Sequence, residues 1–342
     1  MKRPAKNRLL PGKLPAELLE GLLEKYGSRD SALVLGPGLG RDAAVLEFGN
    51  GLLVAATDPI TFASKEIGWY AVHVNANDLA CLGALPRWFL VTVLLPEKGT
   101  EPGLVKEIFS QTHKACEELG AGLCGGHTEI TLGLDRPILV GTMLGQVGPW
   151  GLVRPNGATP GNRLLLSKGI AIEGTSVLAR EHFGLRGELD PQELRRCEEL
   201  LRKPGISVLK EALAACEAGG VCAMHDPTEG GIATALREMA HASGVGFLVR
   251  REAIPVLKET ERVCEILGLD PLGLLASGAL LLAVESSKMA RVREYISAKG
   301  VEVFEIGEAT EDAGEVVMLE KGERRPFPCF QRDEVARALE SS

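Results

Sequence analysis

The chain has 342 residues, of which 45% are hydrophobic and 25% are charged, a composition typical of globular proteins and foreign to disordered ones. Its formal net charge of −8 and its 4% aromatic content argue against a nucleic-acid partner, which would need a basic face or stacking rings. Glycine is unusually frequent, at 41 residues, and this indicates many tight turns or close approaches of the backbone to a ligand.

Neither a membrane span nor a secretory signal is predicted. No run of 18 or more apolar residues occurs. The basic N-terminal arm is followed by Pro11, Gly12 and Pro15 instead of an apolar signal core. The eight cysteines form no C-x-x-C pair, so they are expected to be reduced thiols. We therefore expect a cytoplasmic protein without a membrane partner.

The predicted elements of the first half alternate between helices and strands. In chain order they are a helix over 14–26, strands at 32–35 and 52–57, a helix over 68–82, a strand at 88–95, a helix over 101–119 and a strand at 138–144. A dense cluster of Gly and Pro between 148 and 161 predicts a domain boundary.

The second half mixes helices and strands without a strict βαβ period. It has a strand at 163–167, helices at 174–183, 191–201, 206–218 and 230–243, strands at 280–284, 301–306 and 316–319, and a helix at 288–299. The predicted fold class is α+β (α/β). The predicted units are an arm and helix at 1–30, a first domain at 31–150, a second domain at 151–330 and a tail at 331–342.

Acidic side chains recur beside glycine turns and strand ends. Asp42 ends a Gly-rich turn, Asp58 follows an apolar strand, and Asn75 and Asp78 share one helix face at i, i+3. Mg²⁺ prefers such oxygen ligands and commonly shares them with phosphates. Two further glycine motifs, at 125–129 and 226–231, are predicted to be a turn and the opening of helix 230–243. No P-loop and no helix-opening G-x-G-x-x-G is present.

A zinc site is an alternative use of one His/Cys cluster. His113, Cys116, Cys124 and His127 lie within 15 residues of one another. Their spacing is not a familiar paired-ligand pattern, and the first two fall on the predicted helix 101–119. Buried thiols and a polar turn explain the same residues.

The motifs taken together resemble the AIR synthase (PurM-like) superfamily. They are, in order, Asp42-Ala-Ala-Val, Thr57-Asp58, Asn77-Asp78-Leu-Ala, Gly83-Ala-Leu-Pro86, Gly125-Gly-His-Thr-Glu129, Thr159-Pro-Gly-Asn-Arg-Leu-Leu-Leu and Asp226-Pro-Thr-Glu-Gly-Gly231. Within the superfamily, the segment 167–175 is most similar to the HypE branch of hydrogenase-maturation proteins. The resemblance covers residues 30–320.

The resemblance implies a two-domain fold. Its N-terminal domain would pair its sheet with that of a second copy, so that a homodimer binds ATP and Mg²⁺ at the interface, and the C-terminal α+β domain would cover the site. The implied reaction is phosphorylation of an amide- or acid-like oxygen by ATP. In the HypE branch the product is a nitrile on a C-terminal cysteine.

Carried over to this chain, the resemblance assigns each site residue a role. The metal ligands would be Asp42, Asp58 and Asp78. Because His127 occupies the place of the family's usual acid, either Glu129 is the fourth ligand or the metal set is reduced. The nucleotide contacts would be Asn75, Asn77, Gly125, Gly126 and Thr128 in the first domain and Gly230 and Gly231 in the second. Asp226 and His225 would be catalytic.

The C-terminus departs from the HypE pattern, in which a cysteine ends a flexible tail. Cys329 stands 13 residues before the last residue and is flanked by Pro328 and Phe330, and the segment 331–339 has a helical pattern. We therefore predict a buried thiol in a docked tail. Four alternatives follow: a HypE-like enzyme with a separate small-molecule or protein substrate, a maturation enzyme proper, a non-catalytic nucleotide-binding scaffold and a zinc-stabilised interaction protein.

Overall fold

The computed structural model describes Leu9, residues 12–28 and residues 30–340. The first half contains the helices α1 (Ala16–Tyr26), α2 (Ile67–Cys81) and α3 (Pro102–Leu119). Its strands are β1 (Leu33–Leu35), β2 (Ala43–Phe48), β3 (Gly51–Ile60), β4 (Ala84–Pro96), β5 (Gly122–Thr131) and β6 (Ile138–Val147). The predicted helices at 68–82 and 101–119 are confirmed to within one residue.

The six strands form one sheet in the order β1-β2-β3-β6-β4-β5. Only the β4–β5 pair is parallel, and it places β5 at one edge. One row of residues crosses four strands of the sheet: Asp58 on β3 pairs with Gly141, Gly141 with Val91, and Val91 with Gly126 on β5. Three strand spacings of about 4.8 Å separate Asp58 from Gly126 by about 14 Å.

Helix α2 lies at the centre of the molecule. Every one of its 15 residues is buried, including the polar side chains Asn75, Asn77 and Asp78. A helix that is apolar on nearly all sides must be covered on all sides. The first sheet and α3 cover part of α2, and elements of the second half cover the rest. Of the polar side chains on α2, Asn77 and Asp78 face the second half, whereas Asn75 faces the first sheet.

The second half contains a seven-stranded sheet in the order β13-β12-β9-β11-β7-β10-β8. These strands are β7 (Arg163–Ser167), β8 (Val221–His225), β9 (Gly246–Arg250), β10 (Leu281–Val284), β11 (Val303–Thr310), β12 (Val316–Glu320) and β13 (Glu323–Pro326). The helices are α4 (Ile172–Glu181), α5 (Leu185–Glu188), α6 (Pro191–Glu199), α7 (Leu209–Ala218), α8 (Gly231–Ser243), α9 (Lys258–Leu267), α10 (Met289–Ser297) and α11 (Glu334–Glu340).

The Gly125-Gly126 pair is part of strand β5, so the predicted turn is wrong. Both residues have positive φ angles, +153° and +140°, that favour glycine. A Cβ atom on Gly126 would lie 1.8 Å from the Val91 carbonyl oxygen. Glycine is therefore required at 126 for the close approach of β5 to β4.

The end of the described chain is docked, as predicted, but Cys329 is exposed instead of buried. The buried position belongs to Phe327, which is 2% exposed in the core of the second half. Arg237 on α8 donates to the Phe327 and Pro328 carbonyl oxygens. Helix α11 then packs Val335 into the core. No helix within the described ranges is long and apolar enough to cross a membrane.

Candidate active site

Four aspartates meet where the two halves join. Asp42 precedes β2, Asp58 lies on β3, Asp78 lies on α2 and Asp226 follows β8. The carboxyl groups of Asp58 and Asp78 lie within hydrogen-bonding reach of each other. Asp42, Asp78 and His225 also line one narrow cleft. The fold therefore brings together the acids that the sequence motifs single out.

Burial and mutual repulsion disfavour the charged form of these acids and raise their pKa values. Burial, followed by the neighbouring Asp42 charge, raises the pKa of Asp58 to about 6. Burial together with the charges of Asp58 and Asp226 raises the pKa of Asp78 well above its usual range. Burial also raises the pKa of Asp226 to about 7, although His225 opposes this. Such a cluster is costly unless a cation compensates it.

The cluster has the chemistry of a magnesium site that also needs phosphate oxygens. Asp78 Oδ2 and Asp226 Oδ2 are buried without a hydrogen-bond partner. A divalent cation would satisfy these orphaned oxygens. In the described part of the chain, no group of three or more His, Cys, Asp or Glu side chains is arranged to hold a metal by itself. Mg²⁺ usually takes only one or two carboxylates and completes its shell with water and phosphate.

His225 connects the aspartates to a second carboxylate. Its Nδ1 lies 3.3 Å from Asp42 Oδ2, and its Nε2 lies 2.9 Å from Glu238 Oε2 on α8. Burial opposes the charge on the ring, but Asp42 and Glu238 outweigh it and raise the pKa of His225 to about 9. Both ring nitrogens are thus engaged by carboxylates. This geometry makes His225 a link between Asp42 and Glu238, and its predicted catalytic role stays a prediction.

Asn75 and Asn77, the predicted nucleotide contacts on α2, both form hydrogen bonds with the backbone. Asn75 is fully buried; its Oδ1 accepts the Asp58 N–H at 2.9 Å, and its Nδ2 donates to the Ala71 carbonyl. Asn77 is fully buried as well, and it binds the Ile206 carbonyl and the Val208 N–H. Asn75 therefore positions Asp58, and Asn77 joins α2 to the second half.

The two amides predicted to bind phosphate at the start of α8 are already paired. The Gly230 N–H donates to Asp333 Oδ2 at 2.7 Å. The Gly231 N–H donates to the Thr228 carbonyl at 3.0 Å. Asp333 lies 103 residues further along the chain. Sequence inspection had no local signal for this pairing.

The predicted site residues on β5 do not join the aspartates within one chain. Gly125, Gly126, Thr128 and Glu129 are exposed at the sheet edge, three strands from Asp58. Glu129 Oε2 lies 3.2 Å from His127 Nε2, and Glu129 Oε1 accepts from Thr131. Within one chain, Glu129 therefore lies away from the four aspartates, and its role as a fourth metal ligand stays a prediction.

The zinc alternative finds no support either. Cys116 is buried in α3, whereas Cys124 is exposed on β5. His113 lies on the surface 3.5 Å from Glu117. His127 faces Glu129, as described above. Both histidines thus have a carboxylate partner on their own helix or strand.

Sequence reasoning missed three residues around the acids. Glu238 and Lys13 form an ion pair of 3.0 Å beside His225. Cys81 Sγ lies 3.5 Å from Asp226 Oδ1. A signal for Cys81 was present, because it follows Asp78 by three residues on the same helix face. Lys13 and Glu238 are 225 residues apart, and no local pattern connects them.

Comparison with protein families agrees with the fold. The model described as AIR synthase related protein, N-terminal domain, matches residues 40–147, and the corresponding C-terminal domain matches residues 159–320. The chain belongs to the AIR synthase related family. All four clustered aspartates lie inside the matched ranges. The carbamoyl dehydratase HypE of Cupriavidus necator is 32% identical over 278 residues, which cover 78% of this chain and 76% of that protein.

Solved structures share the fold of this family member. A HypE–HypF complex matches with a TM-score of 0.75 and 24% identity over 92% of this chain and 100% of the other. HypE in complex with ATP matches with a TM-score of 0.71 and 24% identity, over 95% and 97% of the two chains. These likenesses establish the two-domain, PurM-like architecture with its two mixed sheets.

Proposed function

We propose that this AIR synthase related protein is an ATP-dependent enzyme of the HypE type. The buried cluster of Asp42, Asp58, Asp78 and Asp226 carries the proposal, because a purely structural core gains nothing from four neighbouring carboxyls. The relatives support it, since one is named a carbamoyl dehydratase and a protein of the same fold was solved with ATP.

Asp42, Asp58 and Asp78 would hold Mg²⁺ only together with phosphate oxygens, and the ion would supply charge neutralisation for a triphosphate at this position. Asn75 keeps Asp58 in place through its backbone N–H. The ion pair of His225 with Asp42 keeps the Asp42 carboxylate oriented toward the cleft. Asp226 approaches from the second half and would face the transferred phosphoryl group. The bond from the γ-phosphorus to the ADP oxygen breaks as a bond to the acceptor oxygen forms.

The active form is proposed to be a homodimer in the cytoplasm. Strand β5 is an exposed sheet edge, and large apolar side chains are exposed at its end: Ile130 on the strand is 63% exposed, and Leu132 just after it is 78% exposed. Such edges are normally covered. Pairing of two copies at this edge would give Gly125, Gly126, Thr128 and Glu129 a place near a nucleotide between subunits.

The proposed acceptor is an amide or acid group on a separate small molecule or protein. A carrier cysteine must travel into the site on a free tail. Cys329 instead lies between the buried Phe327 and the docked helix α11. Hydrogenase maturation proper, as in the named relatives, is the second candidate, and the exposure of the Cys329 thiol is the observation in its favour.

ADP release tests the proposal. Purified protein with Mg·ATP should release ADP slowly alone and faster with the correct carboxamide or carboxylate. Asp58→Ala and Asp226→Ala should abolish the release, whereas Asp190→Ala, an exposed residue that caps α6, should not. Binding without turnover for any acceptor would favour a nucleotide-binding scaffold.

A further inference from the structure

We infer that the N-terminal segment 12–26 forms one wall of the acid cluster and that Lys13 is a phosphate-binding residue. The inference rests on the proposed function and adds a residue that lies outside the matched family ranges. Lys13 would contact the phosphate groups of the nucleotide and no other part of it.

The segment is anchored to both halves of the molecule. Lys13 Nζ lies 3.0 Å from Glu238 Oε1, and the Lys13 backbone N–H is bonded to the Glu229 carboxylate. Glu20 on α1 lies 3.6 Å from His241 at the end of α8. At the other end of α1, Gly27 lies against Pro37 in the first half. The segment thus crosses the junction that holds the aspartates.

Lys13 brings a positive charge to a strongly negative place. Its ammonium group is attracted by Glu238, Asp42 and Glu229, and it lies near enough to Asp58 to act on that carboxyl. Within the described ranges, the ion pairs place His225 against Asp42 of the cluster and Lys13 against Glu238 beside it. A triphosphate entering here would meet mostly like charges, so a cation must face it.

Lys13 can change partner at little cost. Glu238 is shared, because its other oxygen, Oε2, binds His225 Nε2 at 2.9 Å. If Lys13 turns to a phosphate oxygen, Glu238 keeps a charged hydrogen bond and is not left unpaired. The Lys13 side chain is 42% exposed and sits on a long flexible stem, so it is free to make this change. His225 cannot change partner in this way, because carboxylates engage both of its ring nitrogens.

Calorimetric titration of the full chain with ATP, ADP and AMP in Mg²⁺ tests the inference. Lys13→Met should weaken ATP binding about tenfold or more, as expected for one charge-assisted hydrogen bond, and should leave AMP binding within about twofold. Lys13→Arg should restore most of the ATP affinity. The control is Lys25→Met in the same segment: Lys25 lies on α1 with its ammonium group over the Tyr26 ring, and ATP binding of this variant should be unchanged.

A second readout uses trypsin, which cuts after Lys25 in the same segment. Mg·ATP should slow this cut in the wild type and have less effect in Lys13→Met, because the phosphate contact that holds the segment closed is missing. If the wild type binds ATP and Lys13→Met binds it equally well, the inference about Lys13 is wrong. If the wild type binds none of the nucleotides, the proposed function itself fails.

Discussion

Asp333 should hold the Asp226–Gly231 loop in place from the far end of the chain. Its carboxylate accepts from the Gly230 N–H at 2.7 Å, from the Val335 N–H at 2.7 Å and from the Leu275 N–H at 3.3 Å. The side chain is 5% exposed, so water cannot replace these bonds. Removing the carboxylate therefore loosens the loop that carries Asp226.

The size of the effect follows from the three bonds. Asp333→Ala leaves three buried N–H groups without an acceptor, at about 1 kcal/mol each or somewhat more, which gives a loss of about 3–4 kcal/mol in unfolding free energy. Asp333→Asn keeps Oδ1 for Val335 and Leu275 but turns an amide N–H₂ group toward the Gly230 N–H. The unfolding free energy of Asp333→Asn should therefore fall by about 1–3 kcal/mol.

Urea unfolding and steady-state ADP release measure the two consequences. Both variants should unfold at lower urea concentrations than the wild type. At urea concentrations where they are still folded, their ADP release should be slower than that of the wild type, because Asp226 is no longer fixed. The control Asp190→Ala removes the cap of α6, whose bonds of 2.7 and 2.9 Å are exposed, so it should cost about 1 kcal/mol and leave turnover intact. Wild-type stability and turnover in Asp333→Asn would refute a holding role for the C-terminal segment.

Four further outcomes are expected. Cys329→Ala should keep wild-type ADP release, and mass spectrometry after incubation with a carbamoyltransferase and carbamoyl phosphate should show no adduct at Cys329; an adduct that is lost in the variant would restore the maturation role. Gly126→Ala should detach β5 and destabilise the protein, because its Cβ would lie 1.8 Å from the Val91 carbonyl oxygen; unchanged stability would contradict the strand geometry. Light scattering should give about twice the monomer mass of 36.4 kDa, and a monomer at micromolar concentration would remove the proposed interface. Burial raises the pKa of Glu173 to about 7, so the folded state retains a proton there that the unfolded state releases, and wild-type stability falls as pH rises from about 4.5 through 7. Glu173→Gln should therefore gain up to about 3 kcal/mol over wild type at pH 8 and nothing near pH 4, and equal urea midpoints at both pH values would contradict this.

Local patterns predicted the elements that depend on local chemistry. The helical pattern at 68–82 and the apolar run at 163–167 predicted the bounds of α2 and β7 to within one residue. Periodicity did not reveal β5, because a Gly-Gly pair is typical both of turns and of strands packed closely on a neighbour. The close approach of Gly126 to Val91 decided between these two, and it exists only in the folded sheet.

Site residues divide in the same way. The motifs predicted Asp42, Asp58, Asp78 and Asp226, and the structure brings them together. The exact partners of the surrounding polar groups depend on contacts between distant parts of the chain. Gly230 with Asp333 is such a contact, and the pairing of Asn77 with residues 206 and 208 is another. Composition and spacing cannot reveal such pairings without the fold.

Calorimetric titration of the full chain with ATP, with Mg²⁺ and then with EDTA, tests the central claim most directly. The carboxyls of Asp42, Asp58 and Asp78 would repel a triphosphate unless a divalent cation lies between them. Tight binding in Mg²⁺, none in EDTA and none in Asp58→Ala with Mg²⁺ is the predicted result. Equal affinity in Mg²⁺ and EDTA, or wild-type affinity in Asp58→Ala, would show that these acids do not form the nucleotide site.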